Sequence, residues 1–119
     1  MSDGPLISLT VCMRDAEHWV DHCLESLVKQ AYRPLEIIAV DDGSSDDGYS
    51  KLKAWEGEHN GITVQVLKQP QTGLSAGRNL ALEHSKGEWV AITDIDCRPD
   101  PYWISEMYLV SEGLEDENV

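Results

Sequence analysis

The sequence is short of cations: nine Lys and Arg stand against 22 Asp and Glu in 119 residues, a formal charge of −13. Binding nucleic acid through its phosphates requires a basic stripe, and these nine are scattered, so nucleic acid is excluded as a partner. A surplus this large equally suits a plain solubility role, and an anionic ligand would need a metal or a local cation. Cysteine is scarce too: Cys12, Cys23 and Cys97 form an odd set without a C-x-x-C spacing. That argues against a disulfide framework and a zinc site, and makes a reducing cytoplasm the expected location. No apolar run approaches the ~20 residues that span a bilayer. The start, Met1-Ser2-Asp3-Gly4-Pro5, has neither a basic segment nor an apolar one, so it does not read as a signal peptide.

What is present suffices for one compact domain, because 41% of the residues are hydrophobic. Residues 6–12, 35–40, 62–67 and 88–93 are short, mostly apolar, β-branched runs. Such runs mark strands covered on both faces of a parallel sheet, and the alternation in the third suggests an edge. Between the first two, Ala16, Trp19, Val20, Cys23, Leu24, Leu27 and Val28 recur at helical spacing and predict a helix with Trp19 on its apolar face. Further helices are expected from Asp46 to His59, from Ser75 to Ser85 with Gly87 closing it, and after an Asp100-Pro101 cap, leaving an acidic tail from Glu112 to Val119. The order βαβαβαβα defines an α/β fold with a Rossmann-like parallel sheet and helices on both faces.

Parallel topology gathers the strand C-termini along one edge, where open α/β sheets bind ligands. Arg14-Asp15, Asp41-Asp42-Gly43-Ser44-Ser45 and Asp94-Ile95-Asp96 all fall there. If the chain stays extended, Asp94 and Asp96 point the same way and can share a divalent cation, which would answer the charge problem of a diphosphate ligand. A D-x-D alone is a weak signal that gains weight behind a strand. Only one of Asp41 and Asp42 can face the crevice, and Asp41 is expected to accept a hydrogen bond there from a base or ribose. The remaining residues of that run equally suit helix capping by Ser44 or Ser45. Gly73 to Asn79 is a small-residue loop entering a helix; Arg78 either approaches a phosphate or simply pairs with a neighbouring carboxylate. His18 and His22 lie off the apolar face and read as surface residues, and Trp103 as core rather than a stacking platform.

In this order and spacing, VDDGSSD, GLSAGRNLALEHSKGEW and ITDIDCRPDPYWI resemble the nucleotide-binding portion of the family 2 glycosyltransferases, which share the GT-A fold. The resemblance spans nearly the whole chain. It implies inverting transfer of a sugar from a nucleoside diphosphate sugar, UDP favoured, to an acceptor hydroxyl on a saccharide, lipid or protein, with Mn²⁺ or Mg²⁺ as cofactor. Residue by residue, it implies that Asp41 meets the base, Asp94 the ribose or the metal, Asp96 the metal and Arg78 the diphosphate. Cys12-Met13-Arg14-Asp15 then occupies a segment lining the nucleotide pocket, with Cys12 and Asp15 in place of the usual proline and asparagine.

The resemblance implies that the acceptor site and catalytic base lie beyond the D-x-D, so residues 1–119 read as a donor-binding domain, a fragment of a longer enzyme, in the cytoplasm or at a membrane, that self-associates through its incomplete face. No residue here is assigned as the catalytic base. Two alternatives stand beside this reading. A haloacid-dehalogenase-like phosphatase would carry its D-x-D after the first strand and a lysine later, and no lysine follows Asp96. A nucleotide-binding module without turnover would bind and not transfer.

Overall fold

A computed structural model describes residues 4–117, and side chains through Ser111; the expectations placed on residues 1–3 and 118–119 lie outside the described residues. The elements are β1 (Ile7–Met13), α1 (Val20–Leu27), β2 (Leu35–Asp42), α2 (Gly48–Lys53), β3 (Gly57–His59), β4 (Ile62–Gln69), α3 (Leu74–His84), β5 (Trp89–Asp94) and α4 (Trp103–Glu117). One sheet contains all five strands in the order β3-β4-β2-β1-β5. β1 pairs in parallel with β2 and β5, β2 in parallel with β4, and β3 runs antiparallel to β4. After β4 the chain crosses back to the far side of β1, so the strand order reverses between β1 and β5. Among the described residues, no helix is long and apolar enough to cross a membrane.

Strand alternation sorts the core. Ile7, Leu9, Val11 and Met13 of β1, Ile37 and Ala39 of β2 and Val64 and Val66 of β4 pack with Val20, Leu24 and Leu27 of α1, Leu52 of α2 and Ile104 of α4. On the opposite face Ile38, Val40 and the partly buried Cys12 and Leu67 meet Leu80 and Ala81 of α3. The buried Gln30 ties α4 to this frame, since its Nε2 donates to Asp100 O at 2.7 Å and its Oε1 accepts from Ile104 N at 3.1 Å.

Several expectations are corrected. The second helix stops at Lys53 instead of reaching His59, because Asn60 and Gly61 (φ 55° and 82°) form a tight turn that folds residues 57–59 back onto β4. That strand also displaces β4 from the edge it was expected to form. α1 starts at Val20, four residues later than the apolar spacing implies, and Trp19 stands 52% exposed rather than in the core. β5 is an edge strand on which only Ala91 is buried, while Ile92 is 50% exposed, so its apolar run is not covered on both faces. The acidic tail continues α4 to Glu117. The half-buried Trp103 packs against the core, as expected, and His18 and His22 are exposed.

Candidate active site

A cavity of about 620 Å³ opens at the C-terminal ends of β1, β2 and β5, where the strand order reverses. Cys12, Met13, Arg14, Asp15 and Ala16 line it from β1 and the following loop, Asp42 from β2, Gly73 and Leu74 from the start of α3, and Asp94, Ile95 and Asp96 from the end of β5; Trp19 completes the rim. The charged lining is four carboxylates and one guanidinium, that of Arg14.

The loops after β1 and β2 are bonded to each other. Asp15 takes a positive φ of 50°, which Asp tolerates better than most residues, and its N–H donates to Ser44 Oγ at 2.9 Å. Its carboxylate accepts from Ser45 N at 2.7 Å and Ser45 Oγ at 3.1 Å. Glu17 N donates to Asp46 Oδ2 at 3.2 Å, and Asp46 Oδ1 accepts from Gly48 N at 2.8 Å. Ser44 and Ser45 thus join loops instead of capping α2, whose N-cap residue, Asp47, makes no side-chain cap bond.

Asp42, not Asp41, faces the crevice. The buried Asp41 accepts from the backbone N–H of Ser44 at 3.0 Å and from its hydroxyl, so it fixes the serine that holds Asp15. Asp42 accepts from Thr72 N and Gln69 Nε2, both at 2.8 Å, and from Gly73 N at 3.1 Å, anchoring the chain that enters α3. Asp42 falls on the sheet face that α3 covers and Asp41 on the α1 face, and the crevice opens beside α3.

These bonds set the acid–base properties. The Thr72 N–H, then the Gln69 amide and Gly73 N–H, hold the Asp42 carboxyl below its ordinary value, and the Ser45 N–H, then its hydroxyl, do the same for Asp15. Carboxyls lowered by folding stabilise the fold above their unfolded value, about 4, and lose that contribution as the pH falls through the lower folded value. Thermal unfolding from pH 7 to 3 is therefore expected to show a drop below about pH 4 that is shallower in Asp42→Asn. Burial foremost, with Asp42 second, pushes the Cys12 thiol up to about 11, and burial pushes Cys23 up to about 12, so neither is a nucleophile near neutral pH.

Asp94 ends β5, and the chain then turns rather than staying extended, with Cys97 N donating to Asp94 O at 3.0 Å. The turn still brings the side chains together: one ligand atom each of Asp94, Asp96 and Cys97 lie within 4.8 Å of one another, all exposed. Arg78 Nη2 stands 3.5 Å from Asp94 Oδ1. Arg78 therefore does pair with a carboxylate, and that carboxylate belongs to the D-x-D. Sequence reasoning missed Asp42 and Trp19; the signal for Asp42 was its alternation with Asp41, and Trp19 gave none.

The family model for glycosyl transferase family 2 matches residues 8–118. The chain belongs to this family. Among its relatives, glycosyltransferase GlyG of Streptococcus pneumoniae is 36% identical over 92 residues, 76% of this chain and 30% of that protein. Hyaluronan synthase of Pasteurella multocida is 32% identical over 99 residues, 81% of this chain and 10% of that protein. The family 2 fold recurs in solved structures. Mannosyltransferase PcManGT from Pyrobaculum calidifontis, in complex with GDP-Man and Mn²⁺, superposes with a TM-score of 0.74 at 27% identity, over 82% of this chain and 29% of that one. TarS 1-349 of S. aureus with UDP-GlcNAc gives 0.73 at 26%, over 87% and 30%. The chain thus spans about a third or less of these proteins, and its five-stranded, mostly parallel sheet is their GT-A-like, Rossmann-type architecture.

Proposed function

We propose that this chain is the donor half of an inverting glycosyltransferase, binding a nucleoside diphosphate sugar through a divalent cation, Mn²⁺ or Mg²⁺, at Asp94 and Asp96. The observation that carries this reading is the charge of the crevice. Four carboxylates facing one guanidinium would repel a diphosphate, while two of the four, with their oxygens close together, form a donor set suited to a hard cation. When bound, the cation would stabilise the charge growing on the leaving diphosphate.

The chain's own residues do the rest. Asp15, locked by Ser44 and Ser45, and Asp42, locked to the Thr72–Gly73 backbone, present a rigid acceptor-rich floor for a base or ribose. Asp41 acts through Ser44 as a positioning residue. Trp19 offers an exposed aromatic face at the rim. Arg78, beside Asp94, and Arg14 supply positive charge for the phosphates. In this reading the base that deprotonates the acceptor hydroxyl of a saccharide, lipid or protein lies outside these residues, and the parent enzyme works from the cytoplasmic side.

UDP is the favoured nucleotide, supported by the UDP-GlcNAc that TarS carries, with the GDP-Man of PcManGT as the competing precedent. Competition calorimetry with Mn²⁺ present tests this: UDP should displace GDP at lower concentration, and the reverse order would reassign the base. The exposed apolar side chains of β5, Val90 and Ile92, are proposed to be covered by the remainder of a longer enzyme or by a second copy of the chain.

A further inference from the structure

We propose that a cavity beside the nucleotide crevice receives the sugar of the donor, and that Arg98 selects there a sugar carrying a carboxylate, a hexuronate. The proposal rests on the donor-site reading above and names the class of sugar. Position is the first argument. A cavity of about 280 Å³ lies between α1 and the turn after β5, lined by Trp19, His22, Cys23, Ile95, Asp96 and Arg98. It shares Trp19, Ile95 and Asp96 with the crevice, whereas Asp42, Gly73 and Leu74 line the crevice and not this cavity. A nucleotide sugar whose base meets Asp42 and whose diphosphate reaches the Asp94–Asp96 turn therefore extends its last ring toward the second cavity. Sites for drug-sized ligands occupy roughly 300–1,000 Å³, so a space this small suits one sugar ring and not a second nucleotide.

Chemistry is the second argument. Three of the arginines are engaged: Arg14 pairs with Asp15, Arg78 with Asp94, and Arg33 donates to the carbonyl oxygens of Tyr32 and Asn60. Arg98, by contrast, has neither a hydrogen bond nor an ion pair among the described residues, in a chain with 22 Asp and Glu. The carboxylate two residues on does not take it up, because Asp100 Oδ1 accepts from Tyr102 N at 2.8 Å. A free guanidinium offers two parallel N–H donors, a fork that matches the two oxygens of a carboxylate and not a single hydroxyl. A dianionic phosphate on the sugar is a poorer match, since its extra charge would face Asp96 across the same cavity. The rest of the lining suits a pyranose. Trp19, 52% exposed, can stack its electron-rich indole face on the slightly positive C–H face of the ring, and His22 offers a ring N–H to a hydroxyl.

Calorimetric titration of the 119-residue chain in Mn²⁺ with UDP, UDP-glucose and UDP-glucuronate tests the idea, because the two sugars differ only in a hydroxymethyl group against a carboxylate. The expected result is that UDP-glucuronate binds roughly tenfold to a hundredfold more tightly than UDP-glucose, the effect of one charge-assisted pair. Arg98→Ala should reduce that preference to about twofold or less, while UDP itself binds the variant and the wild type alike. Arg98→Lys should restore only part of the preference, since an ammonium keeps the charge and loses the fork. Equal affinity of the wild type for the two sugars would overturn the selection by Arg98 and leave the nucleotide site standing. A preference that survives Arg98→Ala would place the carboxylate elsewhere and equally refute the proposal. Failure of UDP to bind would overturn the donor-site reading, and the sugar cavity with it.

Discussion

Asp96→Asn is expected to abolish metal-dependent nucleotide binding in a chain that remains fully folded. Replacing one carboxylate oxygen by an amide removes the negative charge that makes this group a ligand for a hard cation, and an Asp94→Asn change does the same to its neighbour. At least a hundredfold loss of nucleotide affinity is expected, by comparison with the roughly 10–100-fold losses that accompany removal of mere supporting groups at metal sites. The fold should not notice. Both carboxylates are exposed; Asp94 pairs with Arg78 at 3.5 Å and Asp96 accepts from the Cys97 thiol at 3.9 Å, contacts too long and too solvated to contribute much. Urea denaturation should place both variants within about 0.5 kcal/mol of wild type. A variant that binds nucleotide as well as wild type in Mn²⁺ would remove that residue from the metal role.

The largest expected effect on stability comes from Gly87→Val. A Cβ at residue 87 would lie 2.6 Å from the backbone nitrogen of Ser8 and 2.8 Å from the carbonyl oxygen of Leu6, inside any allowed contact. These are backbone atoms at the start of β1, an interior strand of the sheet, and they cannot rotate away. The chain entering β5 must instead separate from β1. That strains the bonds from Glu88 N to Leu6 O at 2.8 Å and from Gly87 N to Ser8 Oγ at 2.9 Å. Overpacking of this kind costs about 1–3 kcal/mol, a large part of the stability of a small domain. The damage should also reach the site, because β5 carries Asp94 opposite Cys12 in the register with β1. Weaker nucleotide binding is therefore expected alongside a lower denaturation midpoint. Lys86→Ala, one residue away, keeps the backbone N–H that donates to Glu36 Oε2 and should change stability by no more than about 0.5 kcal/mol.

The four parallel strands were legible in the sequence because each is a β-branched apolar run long enough to cross the sheet, and the helices between them forced the parallel arrangement. β3 was not, since Gly57, Glu58 and His59 are polar and pair through backbone alone; only the Asn60-Gly61 turn announced it. The exposure of Val90 and Ile92 was equally hidden, because a run reads as buried whether or not anything covers it.

For the site, the clustering of carboxylates at the strand ends followed from topology. The choice between Asp41 and Asp42 did not: alternation says that they oppose each other, but which of them meets the crevice depends on which face α3 covers. The mutual bonding of Asp15 with Ser44 and Ser45 joins residues 29 and 30 positions apart, and no local pattern encodes such a tie. Trp19 fits the apolar spacing of α1 and yet stands outside it, because the helix begins one residue later.

If a cation joins the acidic crevice to an anionic ligand, calorimetric titration of the chain with UDP, once in Mn²⁺ and once in chelator, will show it. Binding should saturate in Mn²⁺ and be absent in chelator. Equal binding under both conditions would contradict it, leaving Asp94 and Asp96 without the role that their place at the crevice assigns them.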